Sequence, residues 1–547
     1  MLARVPLNRC HFLIGAFLIA ISTALFILPD RAMGTSHYVA ASGSDSNDGT
    51  SKTTPWMHAP GMPSCTGSCQ SYTPVAGDQI IFRGGDTWHF GNSGAAPFVG
   101  AGAWSWNWSG SNGSPIYIGV DQTWYSGSSW VRPVFNGDNP LSTSAVSSCT
   151  YLVSGGNQWI VIGASYVTLD NFEFVGMCWD TSEGAFGNNV MLKVNGTSTP
   201  DNVTAENLYF HGWTHTTAAP QGGNNAGSAF QGSNQQPGII WQFNVIDGSD
   251  SDRFSLNGME SDAYIVQYSV FRYFQGNYTV DTCHKIHDNL FEHIDNVTDG
   301  SNHSDVMQCA GEVSNGNSDP NLFYNNVFRF IPDSGQPLSM ILGNYVPAGQ
   351  ADYDFNNVFH DIGASSNYIV INDPACATCG GPLTLYNNTA VIGSSSCIVC
   401  QGKSTTITSM NNHWIVNPAT EASVFSPTSG VTETTSIYET PSTASSAGYA
   451  SSNDYAPTGA SSPTVGTGTN NSSFCNGLSD SVATNSCLSG TTNGCTYVTS
   501  SHSVSCPGIT LVARPSSGAW DVGAYEWSSQ VSGNRPPAPT SLAVTVQ

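Results

Sequence analysis

Short apolar runs separated by polar loops recur through the middle of the chain. One phrase returns among them: HDNLF (287–291), YNNVF (324–328), FNNVF (355–359), YNNTA (386–390) and MNNHW (410–414). Its aligned asparagines, Asn289, Asn326, Asn357, Asn388 and Asn412, are spaced 37, 31, 31 and 24 residues apart. Helical solenoids keep a fixed unit length, so this spacing predicts a stack of short strands with one nearly constant turn and other turns of variable length. Looser copies at LDNFEF (169–174), AENLYF (205–210), QFNVI (242–246) and QYSVF (267–271) extend the series upstream. Roughly nine coils result. Asparagine suits the constant turn because it tolerates a left-handed backbone and its amide can bond to the copies above and below.

If the asparagine turn lies between the second and third strands of a coil, the next apolar run after the following loop is a first strand. That rule picks out VMLKV (190–194), SAFQG (228–232), FSLNG (254–258), YTVDT (278–282), DVMQC (305–309), LSMIL (338–342), YIVIN (368–372) and CIVCQ (397–401). The third residue of each is apolar (Leu192, Phe230, Leu256, Val280, Met307, Met340, Val370, Val399), which assigns it to the core, because strand side chains alternate. The fourth position then faces outward as Lys193, Gln231, Asn257, Asp281 and Gln308 before turning apolar at Ile341. Five such residues, about 4.8 Å apart, make a polar stripe about 20 Å long.

Composition narrows the class. The chain has 57 glycines, only 14 lysines and arginines, and no strong amphipathic helix pattern, which favours an all-β protein with many turns. A formal charge of −24 argues against nucleic acid or an anionic membrane surface as partner. Together with YVAASGSDSNDGTS (38–51), AGDQIIFRGGDTW (76–88) and DVGAYEW (521–527), the repeat resembles the right-handed parallel β-helix superfamily of pectate lyase-like secreted polysaccharide-processing proteins, over residues 37–527. The resemblance implies an inward asparagine ladder and a catalytic groove along the first-strand face. It does not name a reaction, since this architecture hosts lyases, hydrolases, epimerases and non-catalytic adhesins.

Residues 1–34 read as a secretory signal peptide: Arg4 and Arg9 precede an apolar run from Phe12 to Leu28, followed by Pro29 and Ala32-Met33-Gly34. The length of the run leaves an uncleaved anchor as the alternative. Behind it the expected order is an N-terminal cap with the first coils (35–165), central coils with the ladder (166–415), C-terminal coils with Ser/Thr/Gly-rich loops (416–527) and a tail (528–547). The expected location is extracellular or at the cell surface, with no stable membrane insertion after cleavage. Of 15 cysteines, Cys10 leaves with the signal, and the even remainder points to disulfides. Cys65 with Cys69, Cys475 with Cys487 and Cys495 with Cys506 are plausible pairs, while Cys376-x2-Cys379 and Cys397-x2-Cys400 also match a zinc-ribbon spacing.

The candidate chemistry gathers at NHSDVMQC (302–309). Met307 points inward and Gln308 outward. Asp305 has core parity but stands at the strand edge, where a bend can turn it out. Hydrolysis of a glycosidic bond needs two carboxyl groups, and Asp281 and Asp305 on adjacent first strands are the expected pair, with His303 as proton relay and Glu260, Asp262 and Asp299 in neighbouring loops as reserves. Elimination needs a base and a cation instead: His303 would be the base, Arg253 and Lys193 the cations, and Asp281 with Asp305 would hold Ca2+. Lys193, Gln231, Asn257 and Gln308 would bind the polysaccharide. Only the lyase reading calls for a cofactor, Ca2+. The structural alternatives are satisfied turn carboxylates for Asp281 and Asp305, and for Arg253 an ion pair with Asp252, Asp281 or Glu260. Lys285 and His287 fall on a second strand, away from the groove. The tryptophans of WSWNW (104–108) are either a sugar platform or a hydrophobic cap. A non-catalytic adhesion β-solenoid is the alternative function.

Overall fold

Three parallel sheets run along the chain, one for each strand of the coil. The second-strand sheet has 13 strands, from Ser36–Val39 to Val431–Thr434; the third-strand sheet has 12, from Thr87–His89 to Ile437–Glu439; the first-strand sheet has 11, from Trp104–Trp106 to Phe425–Ser426. Each strand pairs in parallel with its equivalent one coil away, as Val203–Glu206 does with Val167–Asp170. The chain is thus a parallel β-helix with more coils than the repeat alone suggests, and the right-handed winding expected of it is the hand that parallel crossovers almost always take. This computed structural model describes residues 34–528, less 154–157, 181–188, 196–199, 219–226, 233–237, 254–255, 261–263, 275–277, 282–283, 296–303, 309–318, 332–337, 343–350, 364–366, 373–380, 393–397, 402–405, 427, 492–494 and 507–511. The signal segment, the tail, His303, Asp262, Asp299, Cys376, Cys379 and Cys397 lie outside the described residues.

The asparagine ladder is present as expected. Asn289, Asn326, Asn357, Asn388 and Asn412 are buried. The Asn357 amide donates to Phe323 O (2.8 Å) and Asn388 Oδ1 (3.2 Å), while its own Oδ1 accepts from Asn326 N (3.0 Å) and Nδ2 (3.1 Å). Upstream the ladder continues through Ser269 to Asn244. One detail differs: the left-handed residue is the one before the ladder asparagine, at Asp288, Asn325, Asn356, Asn387 and Asn411, with φ between 56° and 58°.

Those outer asparagines have a second use. Beyond the last coil the chain turns back and runs along the outside of the asparagine turn. Asn411 Nδ2 donates to Thr469 O (2.8 Å), Asn387 Nδ2 to Asp521 O (3.1 Å), and Asn356 Nδ2 to Ser486 O and Ser489 O (both 2.9 Å). Arg514, itself buried, donates to Asn356 Oδ1 (3.1 Å) and pairs with Glu526 (3.0 Å). Further along, Asp480 pairs with Lys285 at 2.6 Å, and His502 stacks on Tyr209 at 4.6 Å. In the pairs 356–357, 387–388 and 411–412, therefore, the first residue holds the returning strap and the second builds the ladder, whereas Asn325 donates to Asp288 Oδ1 (3.2 Å). Asn356→Gly keeps the left-handed backbone but deletes three hydrogen bonds to the strap; a loss of about 2 kcal/mol is expected in a denaturant titration, with the coils themselves unchanged.

Inside the solenoid Phe271, Phe291, Phe328 and Phe359 stack with centroids 5.0, 4.9 and 4.7 Å apart. Trp104 and Trp106 are buried in the same core, which makes WSWNW part of the hydrophobic first coil. Two carboxylates interrupt this interior. Asp354 stands in register between the core residues Phe323 and Leu385, and Asp352 between Asn321 and Leu383. Burial pushes the Asp352 carboxyl up to about 6 despite a 2.7 Å hydrogen bond from Asn321. Asp354 is pushed well above the usual carboxylate range by burial and by Asp352, and neither of its oxygens has a hydrogen-bond partner among the described residues.

The scarce cations are largely consumed by the fold. Arg272 lies between Asp247 (3.6 Å) and Glu292 (3.1 Å), Arg329 meets Glu292 (3.0 Å), Lys52 meets Asp121 (2.5 Å) and Arg83 meets Asp86 (2.8 Å). Lys285 and His287 are structural, as expected: His287 stacks on Tyr324 at 4.5 Å. The three expected disulfides are present, and Cys149–Cys178 is a fourth. No described helix is long and apolar enough to cross a membrane.

Candidate functional site

The first-strand register departs from the expected one at two coils. Phe230 pairs with Met259, not Leu256, and Gln231 with Glu260, not Asn257, a slip of three residues. Met307 pairs with Ile341, not Met340, a slip of one. In register, the fourth-position column therefore reads Lys193, Gln231, Glu260, Asp281, Gln308 and Leu342. Asn257 leaves it and stands level with Ser228. Glu260, expected in a loop, takes its place as the last residue of the strand Leu256–Glu260. Gly258 was the missed signal: a Cβ there would come within 2.3 Å of Thr279 O, so it occupies a crowded position in register with Ala229.

Adjacent residues of these strands are both in the core: Met191 with Leu192, Ala229 with Phe230, Val306 with Met307, and Ile398 with Val399. A straight strand would place one of each pair outside, so each of these four strands turns a corner between them. This resolves the parity of Asp305. Preceding the inward Val306, it shares the outer side with Gln308, which follows the inward Met307.

Asp281 (7 % exposed) and Asp305 (3 % exposed) do not stand level, however. Asp305 pairs with Tyr278, and Val280 with Met307, so the two carboxylates are three positions apart along the strand, about 10 Å, on opposite sides of the corner. Outward side chains diverge across such a corner. The in-register neighbour of Asp281 is Glu260: Val280 pairs with Met259, and Asp281 N donates to Met259 O at 3.1 Å. Two carboxylates so placed do not by themselves make a Ca2+ site, and the described residues hold no group of three or more His, Cys, Asp or Glu side chains able to bind a metal.

Arg253 is exposed and makes no ion pair among the described residues. Its expected partner Asp252 is buried against His215 at 2.8 Å, and the guanidinium instead lies 4.6 Å over the Tyr273 ring. Lys193 is half-buried, level with Val161 and Gln231. The stack that supports Arg253 was not anticipated: Tyr273 lies parallel to His293 at 4.5 Å, and His293 to Phe330 at 5.3 Å. Burial holds the His293 imidazole below its ordinary value against the pull of Glu292, aided by Arg272, Arg253 and Arg329.

No protein-family model matches the chain, and no curated protein matches it in sequence. Among solved structures, pectate lyase Pel9A is 15% identical over 90% of this chain and 96% of that one, with a TM-score of 0.34. A tailspike protein of E. coli bacteriophage HK620, in complex with a pentasaccharide, is 12% identical over 69% of this chain and 72% of that one, with a TM-score of 0.35. A GH136 lacto-N-biosidase from Eubacterium ramulus is 13% identical over 74% and 68%, with a TM-score of 0.29. Similarity this low names neither reaction nor substrate. The resemblance of the sequence to pectate lyase-like proteins holds at the level of fold: the chain is a parallel β-helix, on the strength of its own strand pairings.

Proposed function

We propose that the protein is a secreted carbohydrate-active enzyme that binds an extracellular polysaccharide along its first-strand face and cleaves it there. The observation that carries this reading is the first-strand register, in which Glu260 and Asp281 occupy neighbouring positions flanked by Lys193, Gln231 and Gln308. Backbones one coil apart are about 4.8 Å from each other, close to the separation of about 5 to 5.5 Å between the two carboxyl groups of a retaining glycosidase. In that reaction one carboxyl group protonates the departing glycosidic oxygen while the other attacks the anomeric carbon. Water then attacks the anomeric carbon and displaces the carboxylate, giving up its proton to the first group. Lys193, Gln231 and Gln308 would bond to sugar oxygens on either side, with Asp305 at the margin.

Elimination is the second reading, favoured by Arg253, an exposed arginine with no ion pair among the described residues of a chain of net charge −24. It could neutralise a sugar carboxylate. Screening the mature protein against neutral and uronic acid polysaccharides, with and without Ca2+, separates the readings. Reducing ends alone indicate hydrolysis; reducing ends with unsaturated product indicate elimination. No product on any glycan from a folded protein would reject cleavage and leave the adhesion role.

A further inference from the structure

Four successive coils carry a left-handed, non-glycine residue at one position near the end of the third strand: Tyr273 (φ 58°), His293 (56°), Phe330 (54°) and Asp361 (52°). The residues just before them pair in register, Arg272 with Glu292, Glu292 with Arg329, and Arg329 with His360. A left-handed backbone costs a bulky L-residue about 1–2 kcal/mol, and its repetition in bulge-like fashion at a strand end re-aims the side chains it carries. Here it turns three rings into a stack parallel to the solenoid axis. Arg253, from the preceding coil, lies over Tyr273, while His293, from the following coil, stacks on the same ring with an interplanar angle of 0°. Phe330 ends the stack and is 40% exposed.

Along the chain, the stack lies close to the entry of the first strands. Only residues 275–277 separate Phe274, the end of that third strand, from Tyr278, which is level with Asp305 on the first-strand sheet. Arg272 and Arg329 are tied to Glu292, whereas Arg253 is held by its ring contact and makes no ion pair among the described residues.

We propose that Tyr273, His293 and Phe330 form a glycan-positioning ledge: Tyr273 fixes the Arg253 guanidinium at the edge of the first-strand face, where its fork meets sugar oxygens, and Phe330 packs against a neighbouring sugar ring. The proposal rests on the first-strand reading of function but requires only binding there. Either a carboxylate or a pair of hydroxyls can fill the guanidinium fork. Tyr273 is a positioning residue, since its ring acts through Arg253.

The test combines steady-state kinetics on the cleaved glycan with affinity electrophoresis through polygalacturonate and through its methyl ester. Arg253→Ala and Tyr273→Leu should each raise KM about tenfold with kcat within about twofold, as expected for loss of one cation–π-held contact. Tyr273→Phe, which keeps the ring, should behave as wild type, and the double variant should be no worse than either single one. Retardation lost in polygalacturonate alone identifies a carboxylate ligand; loss in both gels identifies hydroxyls. Unchanged KM and mobility in Arg253→Ala, or a Tyr273→Phe variant as impaired as Tyr273→Leu, would overturn the ledge. A wild-type protein that is retarded but inactive, with retardation reduced by Arg253→Ala, would sink cleavage and keep the ledge. A wild type neither retarded nor active would sink both.

Discussion

Asp281→Asn should leave the solenoid folded and lower kcat for glycan cleavage by about 10²–10⁴-fold, the range for loss of a carboxyl group acting on the reacting bond. The exchange is nearly isosteric and the Asp281 backbone bond to Met259 O is retained, so melting temperature should barely move. KM should change little, because Lys193, Gln231 and Gln308 remain to hold the sugar. Glu260→Gln should fall in the same range. Asp305→Asn is the control that separates two pairings: three positions away and beyond the corner, it should cost far less than either. An Asp305 effect equal to that of Asp281, with Glu260→Gln near wild type, would instead restore the pairing expected from sequence.

The second large effect concerns stability and runs opposite to ordinary acid denaturation. Burial raises the affinity of both the Asp352 and Asp354 carboxyls for their protons, Asp352 up to about 6 against an ordinary value of 3.8. A carboxyl whose folded pKa is raised binds its proton more tightly in the native state. Its contribution is fully present below about pH 4, where the unfolded chain also protonates, and is lost as pH rises through the folded value. For Asp352 the loss is about 3 kcal/mol between pH 4 and pH 6 or slightly above, at about 1.4 kcal/mol per pH unit. Asp352→Asn should therefore gain about 3 kcal/mol at pH 8 and nearly nothing at pH 4. Asp354→Asn should gain in the same direction. Denaturant midpoints at the two pH values check this; equal gains at both would mean that ionisation is not what destabilises the core.

The ladder and the three-strand coil were legible because each asparagine bonds to its own copy one coil away, which forces the same residue to recur. The first strands were less legible because several turn a corner with two inward residues. Simple alternation then admits more than one register, which is how FSLNG slipped by three residues and hid Glu260, and how Asp305 acquired an ambiguous parity. The strap was hidden for a different reason. Its contacts join residues as distant as Asn356 and Ser489, and the asparagines that hold it look like ladder residues in the sequence. Likewise, nothing local marks Tyr273, His293 and Phe330 as one stack until the third strands are aligned.

The most direct measurement is a crystal structure of Asp281→Asn with an oligosaccharide of whichever glycan the wild type cleaves. The expected result is sugar lying along the solenoid axis over Lys193, Gln231, Glu260, Asn at 281 and Gln308, with a scissile linkage beside Glu260. Sugar bound on another sheet or at an end of the solenoid, with the first-strand column bare, would contradict the assignment of this face.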